Sequence, residues 1–170
     1  MPTSSRAGLA LIALMAALQT GPALAETTAC KPFKWSLTRE QGWFQASPQT
    51  LASGGTLAKV DGAADLQLSP VADLKFPVTT GRQPATGTFG ALLTLPPIEK
   101  AGLYQVTLSD EGWIDVVQAG ATVKYSAATG QKACTGLRKS VRFNLAAGPV
   151  SLQISGVKAQ TIKVAVAPAE

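Results

Sequence analysis

Between Ser109 and Val117 the chain reads Ser-Asp-Glu-Gly-Trp-Ile-Asp-Val-Val, and it concentrates there the residue types best suited to chemistry. Asp110, Glu111 and Asp115 are three carboxylates within reach of one turn, and Trp113 is an indole set among them. Calcium takes six to eight oxygen ligands, so three carboxylates supplemented by carbonyls and waters could hold it. The plainer reading is that Asp110 and Glu111 populate a solvated turn, as acidic residues beside glycine commonly do. Glycoside cleavage needs two carboxyl groups astride a bond at a separation of about 5–9 Å, a geometry that adjacent residues of one turn rarely reach. An indole beside a carboxylate suits sugar binding without chemistry: an apolar platform for ring C–H groups and an acceptor for hydroxyls. If Ile114 and Val116 face a core, two-residue alternation sends Trp113 and Asp115 outward together. In the opposite phase, which Val117 permits, Trp113 belongs to the core.

What the chain lacks is equally informative. It has no histidine among its 170 residues. Ser-His-Asp and Cys-His catalysis are therefore excluded, and the commonest zinc, copper and iron ligand is missing. No enzyme, cofactor or resident metal is expected. Fifteen Lys and Arg against ten Asp and Glu give a formal charge of +5, spread along the chain. That balance favours attraction to anionic sugars, lipid headgroups or cell-wall polymers. No basic cluster is interleaved with aromatics, so nucleic acid is not an expected partner.

The elements that would position these residues are legible mainly in the second half. Phe89, Ala91, Leu93 and Leu95 alternate. So do Tyr104, Val106 and Leu108; Val141, Phe143 and Leu145; Val150, Leu152 and Ile154; and Ile162, Val164 and Val166. This is the period of half-buried antiparallel strands, and Gly, Pro and Asp turns fall between them. Earlier, Lys59-Val60, Leu66-Leu68 and Leu74-Val78 read as short strands, the last confined by Pro77 to an edge. No stretch after residue 25 shows a sustained helical stripe. The expected fold is all-β, an antiparallel β-sandwich of jelly-roll-like type. Outward residues Lys124, Arg142 and Lys163 could form a basic stripe or simply a solvated sheet face. Trp43 and Phe44, read as neighbours in a strand, would point to opposite faces. One of them would then be buried against a loop, in an interface, or exposed.

Gly102-Leu103-Tyr104, a strand, Ser109-Asp110-Glu111-Gly112, a strand through Asp115, and a later strand pair about Ala147-Gly148 follow one another over residues 102–155. This order resembles the non-catalytic carbohydrate-binding β-sandwich modules of the protective-antigen type. The resemblance implies a sugar ligand; with the indole–carboxylate reading of the hairpin, the expected contacts are Trp113, Asp115, Asp110 and Glu111. Members that use calcium carry paired aspartates in the turn and a later Asp-Gly. This chain has Glu111 and Val116 at those places, so calcium is the one ion the resemblance raises and the two departures weigh against it.

Residues 1–25 read as an export signal: Arg6, an apolar run from Gly8 to Leu18, a Gly21-Pro22 break, and Ala23-Leu24-Ala25 before the cleavage point. The apolar run is too short to cross a bilayer. Residues 26–170 are expected to form one domain, periplasmic or secreted, with no membrane span after cleavage. Cys30 and Cys134, the only cysteines, are expected to pair as a disulfide. The rival fate, a lipid-modified Cys30, is disfavoured by Thr27 where a lipoprotein signal places an apolar residue. The expected function is an exported, non-enzymatic module binding a carbohydrate or envelope glycopolymer. The alternative is an accessory subunit that engages an envelope protein through Trp43 and Phe44.

Overall fold

The computed structural model describes Met1, Cys30, residues 32–46 and residues 48–170. The export signal expected at residues 1–25 lies outside them, apart from Met1. Two sheets pack face to face. One has six strands in the order β1 (Gln49–Ala52), β2 (Gly62–Gln67), β11 (Thr161–Pro168), β5 (Gly102–Leu108), β9 (Lys139–Leu145) and β8 (Tyr125–Gly130). The other has five: β3 (Ser69–Pro70), β4 (Phe89–Ile98), β10 (Gly148–Val157), β6 (Trp113–Gln118) and β7 (Ala121–Thr122). Every strand pair is antiparallel except β1 with β2.

Two four-strand runs, β2-β11-β5-β9 and β4-β10-β6-β7, form the frame. In chain order these are strands 1-8-3-6 over 2-7-4-5, the pairing of a jelly roll. The fold is thus the expected β-sandwich, and Cys30 is joined to Cys134. The bridge takes up the Cys30 thiol that lipid attachment would require. Among the described residues no helix is long and apolar enough to cross a membrane.

All five alternating runs place their apolar residues between the sheets, Phe89 at the start of the first run excepted. Leu66, Val106, Leu108, Phe143 and Val164 from one sheet meet Leu93, Val116, Leu152 and Ile154 from the other. The β6–β7 turn places both Ala119 (φ 51°) and Gly120 (φ 75°) in the left-handed region, as a two-residue hairpin with a type I′ turn demands.

A third layer was not expected. Helix α1 (Thr38–Gln45) and the segment leading into it lie on the outer face of the six-stranded sheet. Leu37, Glu40 and Phe44 recur at helical spacing and are all buried. The central residue of that stripe is a glutamate, so the apolar period is broken in the sequence although the buried face is continuous. Trp43 and Phe44 are consequently helix neighbours rather than strand neighbours. Phe44 is buried against the sheet and Trp43 packs half-buried beside it, with the Arg39 guanidinium 5.2 Å from its ring centroid. Strand alternation therefore does not separate them, and both pack in the layer that α1 forms on the sheet.

The same layer covers most of the anticipated basic stripe. Arg142 lies 4.2 Å over the Trp35 ring, and its Nε donates to Gln105 Oε1 at 3.1 Å. Gln105 Nε2 donates to Glu40 Oε1 at 2.7 Å, and Arg39 Nη2 donates to the same oxygen at 2.8 Å. Lys163 Nζ donates to the Phe44 carbonyl near the C-terminal end of α1, where a cation is favoured. Lys124 is exposed, outside the strands.

Neither Lys59-Val60 nor Leu74-Val78 forms a strand. A short 3₁₀ turn at Val71–Asp73 precedes the second segment. That segment crosses the outer face of the five-stranded sheet, where Val78 exchanges both backbone bonds with the Gln153 side chain, at 3.1 and 2.9 Å. A side chain satisfies the backbone where a ladder was expected.

Candidate functional site

Ile114 and Val116 face the core, so Trp113 and Asp115 stand together on the outer face of β6. Asp115 is nevertheless buried, with 7% of its surface exposed. Its Oδ1 accepts the Trp113 indole N–H at 3.0 Å and its Oδ2 accepts the Gly81 backbone N–H at 3.1 Å. Gly81 has no side chain for a physical reason: a Cβ there would sit 2.8 Å from Asp115 Oδ1. The loop that covers the sheet is thus clamped at two points, Gln153 and Asp115. Asp115 was expected to receive sugar hydroxyls. It is instead the residue that sets the orientation of Trp113.

The other two carboxylates part company. Asp110 Oδ1 accepts the backbone N–H of Glu111 at 2.6 Å and so closes the β5–β6 turn. Glu111 forms an ion pair with Arg138. The three carboxylates turn to three different partners, and among the described residues no cluster of metal-ligating side chains occurs.

What these residues do share is a cleft. The β5–β6 turn, the β10–β11 turn, the 82–88 loop, the 131–138 loop and the end of α1 meet at one end of the sandwich. They enclose an open depression of about 1590 Å³. Trp113, Asp110 and Glu111 line it, as does Cys134. The Cys30–Cys134 bridge thus anchors one wall to the α1 layer. Gln131 adds a second tie, donating through Nε2 to the Pro32 carbonyl at 2.9 Å.

Trp113 is half-buried in this wall. Lys139 Nζ lies 5.7 Å from the ring centroid and donates to the Gly112 carbonyl at 2.9 Å. Burial holds the Lys139 pKa below 10.5. Glu111 opposes that lowering, and Arg138 and Arg82 add to it.

No family model, curated protein or solved structure matches this chain.

Several lining residues carried no signal in the sequence. Arg82, Lys132 and Lys158 reach the cleft from three separate loops, and Ser155 reaches it from β10. Ser155 pairs with Trp113 across the β10–β6 ladder, at a register irregularity between Ile154 and Val157 on the β4 side. Bulges of this kind re-aim side chains beside functional sites. The Ser155 hydroxyl is buried, and among the described residues it has no hydrogen-bond partner. Leaving such a group unpaired costs about 1–3 kcal/mol.

Proposed function

We propose that this protein is an exported, non-enzymatic binding module whose ligand is a carbohydrate or envelope glycopolymer seated in the cleft at the turn end of the sandwich. The observation that carries this reading is Trp113, turned away from the core, held by Asp115 and set in the cleft wall. A fixed indole offers a flat apolar surface to the C–H face of a sugar ring at little entropic cost. Polar side chains around it supply the hydrogen bonds that orient hydroxyl groups. A chain without histidine and with Asp110, Glu111 and Asp115 committed to structural partners suits recognition better than turnover. The disulfide suits an oxidising compartment, hence a periplasmic or secreted location.

A protein partner docking through Trp43 and Phe44 is the weaker reading. Phe44 is 4% exposed and Trp43 packs beside it.

The test is a glycan array probed with the intact protein and with Trp113→Ala. Glycan binding that Trp113→Ala abolishes supports the reading. Binding of undiminished strength in the variant removes its central residue.

A further inference from the structure

Five cationic and three acidic side chains line the cleft, and among the described residues one ion pair joins two of them. Arg138 pairs with Glu111, and Asp110 closes its own turn. Lys163 stands opposite Asp65 in the β11–β2 ladder and bonds to the end of α1. Arg82, Lys132 and Lys158 are left over. All three are exposed, and among the described residues none has a carboxylate within ion-pair distance. They approach from three different loops, so the charge surrounds the depression instead of lying along one strand. In the same cleft lining, paired with Trp113 across the β10–β6 ladder, is Ser155, whose buried hydroxyl has no partner among the described residues. A buried hydroxyl without a partner among the described residues is a group an incoming polar ligand can satisfy.

We infer that the cleft selects a saccharide bearing an anionic substituent, a carboxylate or a phosphate, with Arg82, Lys132 and Lys158 meeting the charge and Ser155 Oγ bonding a ring substituent beside Trp113. This deepens the reading above and rests on it. Unpaired cations around a partly enclosed depression raise the local concentration of anions and discriminate against neutral competitors.

The experiment is an array of matched pairs: uronate oligosaccharides beside their methyl esters, and phosphorylated oligosaccharides beside their dephosphorylated forms. It is read with the intact protein and with an Arg82→Gln/Lys158→Gln double variant. The acidic member of a pair is expected to bind at least about tenfold more tightly at low salt, and salt should erode the difference. The double variant should lose most of that discrimination. Whether uronate or phosphate pairs respond identifies the source of the charge. Equal binding of acidic and neutral members overturns the charge selection and leaves the carbohydrate reading intact. Silence across the whole array overturns both. Ser155→Ala supplies a second arm. It should keep or raise the thermal midpoint, because it removes an unsatisfied group, yet weaken binding of the acidic glycans several-fold. A lowered midpoint with unchanged binding contradicts the role given to Ser155.

Discussion

Asp115 holds Trp113 through its own carboxylate: Oδ1 takes the indole N–H at 3.0 Å while Oδ2 takes the Gly81 amide at 3.1 Å. One buried side chain thus sets the angle of the only cleft-lining tryptophan among the described residues and closes the loop above it. Asp115→Ala breaks both bonds and leaves the indole donor and the Gly81 amide to find water. Hydrogen bonds to a charged group contribute about 1.5–3 kcal/mol each, so a loss of about 3–6 kcal/mol is expected in denaturant unfolding. Amide exchange at Gly81 should accelerate well beyond that of the β4 core. Unchanged protection at Gly81 would contradict the clamp.

Glu40 is the corresponding anchor on the opposite side of the molecule. It is 1% exposed, and its Oε1 receives Arg39 and Gln105. Glu40→Ala strands the Gln105 amide beneath α1 and removes the partner of Arg39. Removing one member of a buried charged pair costs about 3–5 kcal/mol, and the exposed side of Arg39 should bring the figure here toward the low end. Equilibrium unfolding measures it. A cost under about 1 kcal/mol would mean that α1 is not held by this network.

The disulfide closes a loop of 104 residues and fixes the segment before α1 to the cleft wall. Chain entropy values such a closure at about 4–5 kcal/mol. Cys30→Ser together with Cys134→Ser should lower stability by that order, and hydrogen exchange should rise first in residues 32–46. A stability unchanged by the double substitution would contradict the anchoring role.

How much of this was legible depends on what each residue contacts. Phe89–Leu95, Tyr104–Leu108, Val141–Leu145, Val150–Ile154 and Ile162–Val166 each bury one face, so alternation alone located them and led to the sandwich. Helix α1 was hidden because its buried stripe contains Glu40, a charge that only Gln105 and Arg39, distant or outside the apolar pattern, make tolerable. The phase of Trp113, which the sequence left open, follows from Ile114 and Val116, both of which face the core. The role of Asp115 was not readable, because its partner Gly81 lies 34 residues away in a loop without periodicity. The cleft cations arrive on separate turns, so no local spacing announces Arg82, Lys132 and Lys158 as neighbours of one depression.

Lys139 offers a pH-dependent observable. Its pKa is lowered below 10.5 by burial, so the charged form is disfavoured in the folded protein. Between the lowered folded value and 10.5 the unfolded chain binds more protons than the folded one, and stability rises with pH across that alkaline window. The contribution is complete above 10.5 and is lost as pH falls through the folded value. Glu111→Gln removes the charge that opposes the lowering and should move the midpoint further down. Side-chain amine NMR titration reads both effects. A midpoint at or above 10.5 would contradict the buried position of the ammonium.

The most direct measurement is a map of backbone amide shifts in the intact protein, titrated with the tightest-binding glycan from the array. Shifts concentrated at Arg82–Ala85, Ser109–Trp113 and Ser155–Ala159 are the expected result, since these segments form the cleft around Trp113. Shifts confined to a distant surface, such as β8 about the exposed Tyr125, would contradict the assignment of this cleft as the binding site.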